Sequence, residues 1–310
     1  MPENGIRYLL REEIDTSKWD NCIQSAPGGT VYATAAFLDH MSTCWSALVA
    51  GDYNTVMPLP YRKKFGFDYL YQPAFCQQLG VITQMEDGRP VDADYFLAAI
   101  PKRFRFWEIN LNSKNTVRNY NFNSRKNFLL NLSSDFATLQ TGYSRMAKRN
   151  IRKAQDAGVI VEPSGLVNAV MDLHGKRFGS SLGPTQSDYQ HLADYVAQLP
   201  SENKLILIAK NSFGNLIASS LYLIYKNRVV FLLNGNLSES LRTGATHLLK
   251  DFCIRKFAGS NMILDFEGSD NPDFARFYQQ FGAHELEYYP AIYYNKLPPF
   301  IRWLKQKAKQ

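Results

Sequence analysis

The feature that most constrains this chain is an internal echo. Trp45-Ser46-Ala47-Leu48-Val49-Ala50 runs into Gly51-Asp52-Tyr53-Asn54 and then Thr55-Val56-Met57-Pro58-Leu59-Pro60. Far downstream, Leu205-Ile206-Leu207-Ile208-Ala209 runs into Asn211-Ser212-Phe213-Gly214-Asn215 and then Leu216-Ile217-Ala218. Each is a pair of apolar, β-branched runs joined by a Gly/Asn/Asp turn, which predicts a hairpin. A second echo follows in the same order. Ala93–Phe104 carries Phe96, Leu97, Ile100 and Phe104 at helical spacing and leads into Phe106-Trp107-Glu108-Ile109-Asn110-Leu111. Ala245–Phe257, with Leu248, Leu249, Phe252 and Ile254, leads into Met262-Ile263-Leu264-Asp265-Phe266-Glu267. The offset from Ala50 to Ala209 and that from Glu108 to Asp265 agree to within two residues, so a hairpin–helix–strand module built twice explains both.

A chain of 310 residues has room for two such modules as ordinary domains, and its 45% hydrophobic content supplies a core for each without a disulfide or metal staple. We place the first domain at 1–133 and the second at 134–297, with a seam at Asn131–Asp135 where Ser134 or Asp135 can cap the next helix. Residues 298–310 follow Pro298-Pro299 as a short basic helix, with Ile301, Trp303, Leu304 and Ala308 as its apolar face. That tail either packs on the second domain or makes peripheral contact with a membrane surface.

The four cysteines lie far apart and the five histidines are scattered, so no metal-ligand spacing exists and no metal is expected. The stretch Leu216–Leu233 is broken by Lys226, Asn227 and Arg228, and no transmembrane segment or leader peptide is legible. These features predict a cytoplasmic protein. A net charge of +7 suits an anionic partner.

Four segments could carry chemistry. Tyr143–Lys153 is a helix with Arg145, Lys148, Arg149 and Arg152 on adjoining positions, either a solvated face or a phosphate-binding stripe, and Gly158 stops it. The loop Asn234-Gly235-Asn236 precedes Arg242-Thr243-Gly244-Ala245, where a helix begins; such an N-terminus presents free N–H groups and positive dipole to a phosphate. Asp265 and Glu267, two apart on a strand, would share a face, and either is suited to take a proton from an attacking amine. Tyr278 could protonate a leaving group, or simply pack. Pro58–Gly80 reads as a basic turn followed by a shaped aromatic loop. There is no P-loop, dinucleotide fingerprint or nucleophile elbow.

The run Arg149–Gln155 with Gly158-Val159, the Gly244-Ala245 helix start, Asp265-Phe266-Glu267-Gly268-Ser269, and Phe277-Tyr278 with Phe281-Gly282-Ala283 resemble FemABX-type and related GNAT-like acyltransferases. Pro58–Gly80 resembles the first half of bacterial proteins of that group. The resemblance implies an α/β (α+β mixed sheet) fold with two tandem GNAT-like acyl-CoA N-acyltransferase domains. It implies N-acyl transfer from acyl-CoA, as in GNAT enzymes, or from aminoacyl-tRNA, as in the peptidoglycan-bridge enzymes, to a small-molecule or peptide amine acceptor. Glu267 or Asp265 would then be the base, Tyr278 the acid, and backbone N–H groups near Leu233–Asn234 the carbonyl-polarising donors. Arg242, Thr243, Gly244 and Ala245 would hold CoA, and Lys148, Arg149 and Arg152 a substrate phosphate. One departure is informative: the peptidyltransferases often carry a lysine after the phenylalanine where this chain has Tyr278, so bridge-forming peptidyl transfer lacks its fixed cation. The alternative is a non-catalytic protein of the same fold that binds RNA or another anion through the basic helix.

Overall fold

A computed structural model describes residues 5–64, 66–84, 89–268 and 270–299; side chains of 178–182, 285 and 286 are outside the description. The basic tail predicted over 300–310 lies outside the described residues. By contacts the chain divides into two compact units, 1–124 with 289–310, and 125–288.

In chain order the first half forms β1 (Arg7–Leu10), α1 (Thr16–Ser25), α2 (Ala35–Met41), β2 (Cys44–Ala50), β3 (Thr55–Lys64), β4 (Phe67–Tyr71), β5 (Ile82–Thr83), β6 (Val91–Asp92), α3 (Asp94–Ala99), β7 (Phe106–Asn110), β8 (Asn115–Thr116) and β9 (Phe122–Asn131). The second half forms α4 (Phe136–Thr141), α5 (Arg145–Asp156), β10 (Ile160–Pro163), α6 (Val167–Leu182), α7 (Gln186–Gln198), β11 (Lys204–Lys210), β12 (Leu216–Tyr225), β13 (Arg228–Asn236), α8 (Ser238–Thr243), α9 (Ala245–Phe257), β14 (Ile263–Asp265), α10 (Pro272–Gln279) and β15 (His284–Asn295).

The echo reappears as topology. In the first unit β1-β2-β3-β4 form an antiparallel meander, and β7, reached through α3, pairs parallel with β4. In the second, β10-β11-β12-β13 do the same, and β14, reached through α9, pairs parallel with β13. A parallel pair needs such a crossover, and the helix in each crossover supplies the apolar cover for its sheet. Each unit's run of strands is completed by a strand from the other half of the sequence. β9 pairs with β14 in the second unit, and the Tyr289–Asn295 part of β15 pairs with β7 in the first. The seam read near Asn131 marks the end of β9, which belongs to the second unit through that pairing.

Each unit has its own core. Leu48, Met57, Leu70, Phe96, Trp107 and Ile292 are among those packing the first, and Phe128, Tyr222, Phe231, Leu249, Phe266 and Phe281 among those packing the second. Several sequence boundaries shift for local reasons. The helix expected over Ala93–Phe104 ends at Ala99, because Pro101 excludes a helical residue before it. α6 ends at Leu182, and Gly183 after it adopts φ 86°. The shaped loop expected at Pro58–Gly80 is in part the β3–β4 hairpin, Lys64 pairing with Phe67. The basic helix read over Tyr143–Lys153 forms over Arg145–Asp156, with Ser144 Oγ accepting from Ala147 N at its start.

One core residue is out of character. Lys250, on α9, is fully buried; its Nζ donates to Tyr222 Oη at 3.0 Å and stands 3.0 Å from the Phe231 ring centre. Burial pushes its ammonium well below the usual lysine range. A base that holds fewer protons folded than unfolded makes stability rise with pH. His174 and His247, also pushed down by burial, act with the same sign. Lys250→Met should therefore retain the fold while its stability, followed by denaturant unfolding from mildly acid to mildly alkaline pH, rises less steeply than that of the wild type. The expected difference is up to about 1.4 kcal/mol per pH unit; identical slopes would show that Lys250 keeps its charge in the core.

Candidate functional site

The second unit contains a cavity of about 620 Å³. Its lining comes from five stretches that the topology brings together: α6, the C-terminal half of β13, α8 with the first turn of α9, the turn after β14, and α10.

β13 is shaped for this task by a bulge. Leu221 on β12 pairs with Leu233, but Tyr222 pairs with Phe231, so Leu232 is an extra residue. A bulge turns adjacent side chains toward one face and releases the extra residue's N–H from the ladder. Phe231 and Leu232, neighbours in sequence, both line the cavity, as do Asn234 and Asn236 beyond them. Gly235 lets α6 close on this strand: a Cβ there would lie 2.4 Å from Leu173 Cβ and 2.8 Å from the His174 nitrogen. That approach sets His174 in the wall, its Nδ1 2.8 Å from Tyr189 Oη, and burial pushes its imidazole down to about 4.

The polar inventory marks the cavity as a ligand site. Asn234 Oδ1, Asn236 Oδ1 and Thr246 Oγ1 are buried without a hydrogen-bond partner among the described residues. Such atoms cost about 1–3 kcal/mol each unless water or a ligand satisfies them.

Glu267 lines the cavity in an unusual backbone state, φ 60°. The left-handed region costs a residue with a Cβ roughly 1–2 kcal/mol, so something must hold it there. Asp265 does: its Oδ1 accepts from Glu267 N at 2.9 Å, while its Oδ2 lies 2.6 Å from Arg228 Nη1. Arg228 Nη2 in turn lies 2.6 Å from Glu287 Oε1. Burial raises the Asp265 carboxyl, and the Arg228 guanidinium opposes that rise. The expectation that Asp265 and Glu267 share a strand face fails because β14 ends at Asp265. The two carboxylates are divided: Asp265 is buried in the ion pair and off the cavity wall, and Glu267 is on it.

Tyr278 also lines the cavity, 4.9 Å from the Phe266 ring with a tilt of 32°. Burial, then the charges of Glu267 and Asp265, push its phenol far up, leaving it a neutral donor. Asn234, Glu267 and Tyr278 are thus brought together. The proposed CoA residues are not: none of Arg242, Thr243, Gly244 and Ala245 is in the wall. Thr243 Oγ1 bonds back to Glu239 O at 3.0 Å, Ala245 is fully buried, and a Cβ on Gly244 would meet Asn150 O at 2.3 Å. That glycine admits the backbone of α5. Lys148 and Arg152 line a separate cleft, and Arg149 is in neither wall.

Asn236, in the loop singled out from the sequence, is in the wall, and so are His174, Thr246 and His247, to which the sequence reading gave no role. His247 Nε2 sits 3.0 Å from Gln280 Oε1, and its ring meets Phe277 edge-on at 5.0 Å. Thr246 and His247 directly follow the Gly244-Ala245 start and were within reach of that signal; the histidines were passed over because only metal spacing was sought. Among the described residues no His/Cys/Asp/Glu group could hold a metal ion, and no helix is long and apolar enough to cross a membrane.

No family model matches the chain, and no curated protein matches its sequence. Solved structures do match. FemX superposes with a TM-score of 0.65 at 12% identity, covering 98% of this chain and 100% of its own. L-PGS from Bacillus licheniformis gives 0.53 at 12% identity, covering 94% and 95% of the two chains. A tandem GNAT protein from the clavulanic acid biosynthesis pathway gives 0.52 at 9% identity, covering 93% and 98%. The fold of this chain is the mixed α/β fold of the FemABX and GNAT-like proteins.

If Glu267 is held against its own backbone preference, Glu267→Gly should leave the protein as stable as the wild type or more stable by up to about 1 kcal/mol in denaturant unfolding. A clear loss of stability would mean that the side chain contributes to folding rather than being held for another purpose.

Proposed function

We propose that the chain is an acyltransferase that moves an acyl or aminoacyl group from an activated ester or thioester to an amine, in the cavity of its second unit. The observation that carries this reading is Glu267, a carboxylate on the cavity wall whose strained backbone is fixed by the buried Arg228–Asp265 pair. Strain maintained by a dedicated network is characteristic of functional positions.

In this mechanism the donor carbonyl lies along β13, polarised by the N–H released at the Leu232 bulge and by those near Asn234. The amine nitrogen attacks the carbonyl carbon and passes its proton to Glu267, directly or through water. As the bond from carbon to the leaving oxygen or sulfur breaks, Tyr278 gives that atom its phenolic proton and recovers one from Glu267. Its upward-shifted phenol suits donation to a basic alkoxide better than to a thiolate. That favours an ester donor such as an aminoacyl-tRNA. Asp265 is here a positioning residue. The absence of a lysine at Tyr278 still argues against peptidoglycan-bridge synthesis as the particular reaction.

The test is transfer of a radiolabelled acyl group from aminoacyl-tRNA or acetyl-CoA to a pool of amine-bearing small molecules and peptides. Glu267→Gln should lower turnover by about 100- to 10,000-fold with an unchanged melting temperature, and Tyr278→Phe should lower it with the same fold retained. Undiminished transfer in Glu267→Gln would refute the assignment of the base.

A further inference from the structure

The proton count of the proposed reaction is one short of closing. An aliphatic amine at neutral pH is an ammonium, since such groups ordinarily titrate at about 10, and an ammonium has no lone pair with which to attack. Two protons must therefore leave its nitrogen, one before attack and one as the new bond forms. Glu267 in the scheme above takes only the second. The cavity wall contains a further basic group, the imidazole of His247 in the first turn of α9.

Its surroundings decide which ring nitrogen is free to act. Both polar contacts fall on Nε2: Gln280 Oε1 at 3.0 Å and the Asn150 side-chain amide at 3.3 Å. An amide oxygen only accepts, so Gln280 assigns the ring proton to Nε2 and leaves the lone pair on Nδ1. Asn150 then turns its own oxygen to the same N–H, an exchange of amide O and N that leaves its shape unchanged. Nδ1 has no hydrogen-bond partner among the described residues. The ring is half-buried, with Phe277 edge-on to it and Phe281 5.8 Å away. Burial lowers the imidazole below its usual range, the Gln280 bond opposes that fall, and the Lys250 charge adds to it. His247 is therefore neutral, and open to a proton, at physiological pH. The charged side chains on the same wall are Arg177 of α6, Glu267, and Asp273 of α10.

We infer that His247 is a second proton acceptor of the acyl-transfer site, taking the first proton of an incoming alkylammonium at Nδ1. The inference rests on the acyl-transfer reading and gives the acceptor its class: an aliphatic amine that enters charged. One N–H bond of the ammonium breaks with its electron pair left on nitrogen, and that pair attacks the donor carbonyl carbon. The second proton passes to Glu267 and, by way of Tyr278, to the leaving oxygen. The amide and the alcohol depart, and the imidazolium returns its proton to water. While it lasts, the imidazolium shares the wall with the Glu267 side chain, whose negative charge offsets part of the cost of burying it. Gln280 is the positioning residue that keeps Nδ1 bare.

The experiment is the pH profile of kcat/KM for the amine of the pool that the wild type acylates best. The wild type brings the ammonium's proton into the transition state on His247, so its profile should stay level from about pH 7 to about pH 9. In His247→Gln that proton must first be lost to solvent. Its kcat/KM should fall about 100-fold at neutral pH and recover about tenfold per pH unit as pH rises. Glu267→Gln should lack that recovery, because its proton leaves only during attack. Gln280→Glu keeps an acceptor on Nε2 and raises the imidazole, so the acid limb of its profile should move to higher pH; this keeps the role testable if His247→Gln does not fold. Nitrogen-15 NMR of histidine-labelled protein reads the tautomer directly, His247 being the signal shifted in Gln280→Glu. The Nε2–H form is expected, and the Nδ1–H form overturns the role whatever the assay gives. Parallel profiles for the wild type and His247→Gln overturn the role and leave the acyltransferase reading standing. No transfer by the wild type from either donor removes that reading and this role together.

Discussion

The site depends on an ion pair set between two parallel strands. Arg228 opens β13 and Asp265 closes β14, and the parallel register that sets Arg228 opposite Ile263 brings the two side chains within 2.6 Å. Pairing charges in a protein interior is costly, and replacing such a pair by apolar residues often stabilises a fold. Here the pair serves a local purpose. Asp265 uses one oxygen for Arg228 and the other for the amide of Glu267, fixing that residue in the left-handed region as the chain leaves the strand. Glu287 on β15 takes the remaining guanidinium nitrogen, so three segments remote in sequence converge on one backbone angle.

The remaining wall follows from the same sheet. The bulge at Leu232 re-aims β13, Gly235 admits α6, and Gly244 admits α5. A meander followed by a parallel crossover occurs in both units, and the described cavity with its carboxylate, bulge and orphaned amides lies in the second. Exchange of β9 and β15 between the halves of the sequence means that neither half completes its sheet alone.

Much of this was legible in the residues. The repeated hairpins, the Ala245–Phe257 helix and the basic helix were visible because periodicity and turn chemistry are local properties. The strand exchange was not, since nothing in β9 or β15 states which sheet it will join. For the site, Asn234, Glu267 and Tyr278 were found from their places at element ends. The separation of roles between Asp265 and Glu267 required knowing that β14 stops after Asp265, and a three-residue strand cannot be distinguished from a longer one in an apolar run. Glycine before a helix signals close approach, and the sequence does not say what approaches; at Gly244 the Asn150 backbone does.

The most direct test is a crystal structure of the protein with a non-hydrolysable amide analogue of an aminoacyl-adenosine. The account places the analogue's carbonyl beside Leu232 and Asn234 on β13, with the Glu267 carboxylate facing the side from which an amine would attack. An analogue well ordered elsewhere on the chain, with the cavity empty and Glu267 away from it, would contradict the account.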